Sequence, residues 1–125
     1  MNLPPYFRHA IRIAHESKHP RYKLGACCIS PRGNHLYSVG YNSYKTHPLM
    51  GGPQTLHAEI HAISRLPRGV LGSNIHLVIV RLLPNGYGLA RPCPVCISII
   101  EKVGIKKILY TTNEGYHEEK LWKDY

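Results

Sequence analysis

His57-Ala58-Glu59 and Pro92-Cys93-Pro94-Val95-Cys96 carry one imidazole, two thiols and one carboxyl at spacings that suit a metal site. Zinc takes imidazole nitrogen and thiolate sulfur in tetrahedral geometry; structural sites close with four protein ligands, whereas catalytic sites keep three and leave the fourth position to water. Three ligands are on offer here, His57, Cys93 and Cys96, so the expected cofactor is one Zn2+ per chain with water or hydroxide as fourth ligand. Water on such a zinc has a pKa of about 7, a nucleophile that side chains alone do not supply. Glu59, beside the ligands but not needed as one, is the candidate catalytic residue and proton carrier.

Two other readings use the same residues. His57 and His61 lie four apart, on one helical face, as in zinc proteases, but that motif needs Glu directly after the first His and position 58 is Ala. Closing the site with His61 as fourth ligand makes the zinc purely structural and leaves Glu59 without a role.

The pairing of His-x-Glu with Pro-Cys-x-x-Cys is the known signature of the zinc nucleobase deaminases. The chain accordingly resembles the cytidine and deoxycytidylate deaminase superfamily, which includes tRNA adenosine deaminases and polynucleotide-editing members. Gly40-Tyr41-Asn42 after a predicted strand, and Gly104-Ile105-Lys106-Lys107-Ile108-Leu109-Tyr110 after the cysteines, resemble the deoxycytidylate branch in order and placement, so the resemblance runs from about Leu24 to Thr112. It implies hydrolytic deamination without an organic cofactor: Glu59 takes the proton from zinc-bound water, hydroxide attacks the ring carbon bearing the amino group, and Glu59 returns protons to ring and leaving ammonia. It also implies substrate-binding roles for Asn42, which contacts sugar or base, and for Ala58, whose backbone amide faces the base and whose small side chain leaves the approach open. A homo-oligomer is implied too, and a terminal strand and helix for which few residues remain after Tyr110.

The substrate that this resemblance implies is a cytosine-containing mononucleotide of the deoxycytidylate type, its phosphate paired by basic residues. The alternative is a nucleic acid, single-stranded DNA or a tRNA loop, for which positive charge, Tyr110 and Tyr116 offer contacts. A third class is a zinc-stapled nucleic-acid-binding module without activity.

Composition is compatible with each. At 125 residues and 43% hydrophobic content the chain is expected to form one domain, residues 1–125, with an ordered core. The formal charge of +9 favours an anionic partner without choosing between a nucleotide and a polymer. No apolar run reaches the roughly 20 residues that span a bilayer, and the opening Met-Asn-Leu-Pro-Pro-Tyr lacks the layout of a signal peptide, so no membrane partner and a cytoplasmic location are expected. Cys27 and Cys28 are adjacent, which on a strand turns them to opposite faces, and Cys93-x-x-Cys96 suits a metal better than a disulfide framework.

The elements that must position the site read as an alternation of helices and strands. Pro4-Pro5 opens a helix with Phe7, Ala10, Ile11 and Ala14 on one face, ending before His19-Pro20. Leu24 to Ile29 and Leu36 to Tyr41 flank the turn Pro31-Arg32-Gly33-Asn34 and predict an antiparallel hairpin with Asn42 at its exit. A loop from Ser43 to about Thr55, expected to wall the pocket, leads to a helix carrying Leu56, Ile60, Ile63 and Leu66 with His57 and Glu59 in its first turn. Residues two apart in a helix interior diverge, so their convergence depends on that placement. Ile75 to Leu83 reads as a strand buried on both faces, and a helix starts at the cysteines, with Pro94 first and Gly104 at its exit. Both motifs thus open helices, whose dipoles are expected to lower the thiol pKa values. Strand Lys106 to Thr111 and a short helix from Tyr116 to Lys123 complete the chain. The fold class expected is α/β, a three-layer α/β/α cytidine deaminase-like arrangement whose mixed sheet begins with the antiparallel hairpin and continues as parallel strands.

Overall fold

The computed structural model describes residues 3–18, 23–47 and 52–121, with only the backbone course given for 44–47 and 52–56. A single 3-10 turn, Pro5–Phe7, leads into α1 (Arg8–Ala14). β1 (Lys23–Ile29) and β2 (Leu36–Tyr41) form the expected hairpin. The segment expected as a loop after Asn42 is instead a two-stranded ribbon, β3 (Ser43–His47) and β4 (Gly52–Leu56), apart from the main sheet. Its tip, and its side chains as a pocket wall, lie outside the described residues. α2 (Ala58–Ser64) follows, then β5 (His76–Leu83), the short β6 (Gly86–Gly88), α3 (Pro94–Val103), β7 (Lys107–Thr112) and β8 (Gly115–Lys120).

The main sheet runs β2-β1-β5-β7-β8, with β6 folded back on β5. It is mixed, as expected, but only β5 and β7 pair in parallel. β1 lies antiparallel between β2 and β5, so two strands that point the same way are separated rather than hydrogen-bonded. The expected terminal helix is a strand: Gly115 to Lys120 pairs antiparallel with β7 across a tight turn at Asn113-Glu114. A two-residue connection returns the chain at once along its neighbour, which leaves no length for a crossover helix.

Alternation along the strands divides the core in two. Ala26, Cys28, Leu77, Ile79, Ile108 and Tyr110 face α2 and α3, whereas Cys27, Ile29, Val78, Val80 and Leu109 face Phe7 and Ala10 of the N-terminal helical segment. Helices therefore cover both faces of the sheet, and adjacent Cys27 and Cys28 do point to opposite faces. Burial pushes their thiols up to about 12 and about 11 respectively. None of the described helices is long and apolar enough to cross a membrane.

Two glycines set how closely the helices approach. A Cβ on Gly25 would stand 2.1 Å from the Ala10 carbonyl oxygen, and one on Gly40 would stand 2.3 Å from the Ala62 nitrogen and 2.7 Å from the Ala58 oxygen. Both obstacles are backbone, which cannot rotate aside. Gly40, with Ala58 and Ala62 opposite, seats α2 directly on β2 and so fixes the depth at which the start of α2 sits. Gly40→Ala should lower stability by roughly 1–3 kcal/mol, the usual cost of overpacking, and displace α2 enough to lower retained zinc. Thermal melting and metal analysis check this; unchanged values in both would show that the contact is not limiting.

Candidate active site

Both motifs open helices packed on one face of the sheet, as expected, but Leu56, expected on the helix, ends β4, and His57, expected in the first turn, precedes α2. His57 is the residue before α2 and has extended backbone (φ −75°, ψ 144°), so it stands outside the helix while Ala58 and Glu59 are the first residues inside it. That change of conformation between 57 and 58 is what lets His57 and Glu59 converge although they are two apart. Cys93 holds the equivalent place before α3, with φ −68° and ψ 163°, Pro94 first in the helix and Cys96 in its first turn.

His57 Nδ1 lies 3.0 Å from Cys96 Sγ. The ligand atoms of His57, Cys93 and Cys96 all fall within 4.8 Å of one another, the sole such metal-capable cluster among the described residues. One imidazole nitrogen and two sulfurs converging this closely fit zinc by donor type and by number, with a fourth position left over. His61 is placed elsewhere: its Nδ1 accepts the Tyr41 N–H at 3.1 Å and its ring stands edge-on to Tyr41. The glutamate lies with the trio. Glu59 is buried, accepts a hydrogen bond from the Cys96 thiol and feels the His57 charge, yet loss of hydration outweighs both and raises its carboxyl above the usual range.

The expectation that helix starts lower both thiols is not met at Cys96. Burial, reinforced by the nearby Glu59, pushes this thiol well up. A metal ion must therefore displace its proton, and the cation's own charge draws both groups back toward their ionised forms.

The pocket above this cluster has a volume of about 360 Å³. Asn42 enters it from the end of β2, 2% exposed, with its Oδ1 accepting the Leu24 N–H at 2.9 Å while its own N–H donates to the Leu24 carbonyl at 3.2 Å. This bracket ties the ends of β1 and β2 together and fixes Asn42 at the pocket wall. Ala58, buried, forms part of the wall. Arg81 and Arg91 also line the pocket, and sequence reasoning missed both. Arg81 lies within the strand expected to be buried on both faces, and a charge inside such a run was the available signal. For Arg91 the signal was weaker, a cation two residues ahead of a metal ligand.

Comparison with known proteins follows this geometry. The family model for the cytidine and deoxycytidylate deaminase zinc-binding region matches residues 2–112, extending the resemblance to the N-terminal helix. Among solved structures, a cytidine deaminase from Burkholderia pseudomallei is similar with a TM-score of 0.70 at 17% identity, over 96% of this chain and 93% of that one. The dCMP deaminase of cyanophage S-TIM5 gives 0.64 at 22% identity over 86% and 79%, and a cytidine deaminase from Mycobacterium leprae 0.56 at 20% over 89% and 87%. At these identities the likeness is one of fold. Among curated protein sequences no significant match is found.

The four cysteines are distinguishable by their surroundings, since thiolates and not thiols react. After chelation, native protein at about pH 8 should alkylate the exposed Cys93 first and the buried Cys96 more slowly, with Cys27 and Cys28 reacting only on unfolding. Peptide mass analysis of a labelling time course reads the order. Rapid labelling of Cys27 or Cys28 in the native state would contradict their burial.

Proposed function

The chain belongs to the cytidine and deoxycytidylate deaminase zinc-binding family and is a zinc-dependent hydrolytic deaminase, and from that premise we propose that its substrate is a cytosine mononucleotide of the deoxycytidylate type. The observation that carries the reading is the pocket itself. It joins the buried Glu59, His57 and Cys93, with Cys96 clustered beside them, to two arginines in one concavity of about 360 Å³, within the size range of small-molecule sites.

Zinc bound by His57, Cys93 and Cys96 supplies Lewis acidity, lowering the pKa of a coordinated water to about 7. The chain's own residues do the rest. Glu59, buried beside the ligand trio, is placed to take a proton from the attacking water and pass it to the ring nitrogen, then to carry the proton of the new hydroxyl to the departing amine. Asn42, anchored at the pocket wall through Leu24, is the residue that the family resemblance assigns to the sugar or base. Ala58, buried in the pocket wall, keeps the approach to the ring free of bulk. Arg81 and Arg91 favour a phosphorylated substrate over a bare nucleoside.

The competing nucleic-acid reading leaned on tyrosines near the last strands. Tyr110 is 5% exposed with its hydroxyl donating to Glu119, and Tyr116 rests on Phe7 with ring centroids 5.3 Å apart. Tyr110 is thereby withdrawn from stacking, whereas Tyr116 keeps 43% of its surface exposed. A purely structural zinc is closed by four protein ligands, whereas the described cluster offers three.

Glu59→Gln should retain the fold and about one zinc per chain while kcat falls by about 10²- to 10⁴-fold. Normal turnover by this variant would remove Glu59 from the mechanism. Ammonia release measured with deoxycytidine monophosphate, deoxycytidine, cytosine, single-stranded DNA and tRNA should favour the monophosphate. Turnover of a polymer with steep salt dependence would overturn the mononucleotide assignment.

A further inference from the structure

Arg91 reaches the pocket wall from the irregular segment just ahead of Pro92 and Cys93, and what holds it comes from the far end of the chain. Its Nε donates to Glu119 Oε1 at 3.0 Å and its Nη2 to Glu119 Oε2 at 2.9 Å, a bidentate pair. The Tyr110 hydroxyl donates to Glu119 Oε1 at 3.0 Å and braces the carboxylate from β7. Glu119 lies on β8 opposite Ile108, a strand that contributes no described residue to the pocket. Arg91 and Tyr110 together hold the Glu119 carboxyl below the usual carboxylate range, so the pair is charged under ordinary conditions.

With side chains 44% and 24% exposed, an ion pair of this kind contributes little to folding stability. Its geometric effect is larger. A free arginine side chain samples many rotamers and must be ordered when a ligand binds, whereas a guanidinium already clamped in its plane presents its remaining N–H donors at no further entropic cost. We propose that Glu119 is a positioning residue for substrate binding, acting through Arg91, so that the last strand of the fold sets the affinity of the pocket without touching it. The inference rests on the deaminase reading above and assigns Arg91 to substrate recognition in that pocket.

A double-mutant cycle tests it, with steady-state kinetics on deoxycytidine monophosphate and calorimetric binding of the same nucleotide. Glu119→Gln should raise KM about three- to tenfold, the loss expected when one long side chain must be ordered on binding, with kcat, zinc content and melting temperature unchanged. Arg91→Ala should raise KM at least as much. Arg91→Ala combined with Glu119→Gln should match Arg91→Ala alone, because Glu119 then has nothing to position. Arg91→Lys, which keeps the charge but not the planar fork, should not restore wild-type KM. Multiplying effects in the double variant, or a Glu119→Gln variant whose kcat and melting temperature fall together, would overturn the positioning role while leaving the deaminase reading intact. Neither turnover nor binding of any cytosine nucleotide by the wild-type protein would defeat that reading, and this inference with it.

Discussion

His57 and Cys96, 39 residues apart in the chain, meet at 3.0 Å only because the starts of α2 and α3 are held at one place on the same face of the sheet. Everything else in the described structure serves that juxtaposition. Gly40 lets α2 lie with its backbone against β2, and Ala58 and Ala62 keep the contact thin. Ile100 of α3 joins Ala58, Ala62, Leu77 and Ile79 in one buried cluster, so the two helices share a core as well as a cluster of ligands. The parallel pairing of β5 with β7 places α3 between them as a crossover, and the segment from 89 to 93 delivers Cys93 to the pocket.

The electrostatics of the site follow from its burial. A carboxyl and a thiol withdrawn from water beside one another each resist ionisation; the carboxylate adds to the thiol's cost, whereas the thiol's hydrogen bond offsets part of the carboxyl's. A divalent cation removes that conflict by compensating both. Metal affinity and the ionisation of the site are therefore a single coupled quantity.

The C-terminal hairpin of β7 and β8 supports the opposite wall. Thr111, fully buried, donates to the Gly88 carbonyl at 2.7 Å and accepts the Arg81 N–H at 3.1 Å, while its own carbonyl accepts the Ala90 N–H at 2.9 Å. Glu119 and Tyr110 hold Arg91 in turn. Two strands that supply no catalytic group thus order the segment from which Arg81, Arg91 and Cys93 face the pocket.

Much of this was legible in the chain alone. Ligand types, their number and the helix-opening context of both motifs determined the zinc chemistry and the candidate roles of His57, Glu59, Cys93 and Cys96, because metal coordination is set by donor chemistry and local backbone form. Strand alternation likewise assigned Cys27 and Cys28 to opposite faces. Other features depended on contacts distant in sequence. The ribbon after Asn42 and the strand at Gly115 carry no apolar periodicity of their own and are defined by backbone pairing with a neighbour. The rise in the Cys96 thiol reflects the dryness of its surroundings, which overrides the local helix dipole. Arg81 and Arg91 became pocket residues only when β5, the segment before α3 and β8 were brought together, since a side chain's neighbours across a sheet are decided by topology and register and not by its place along the chain.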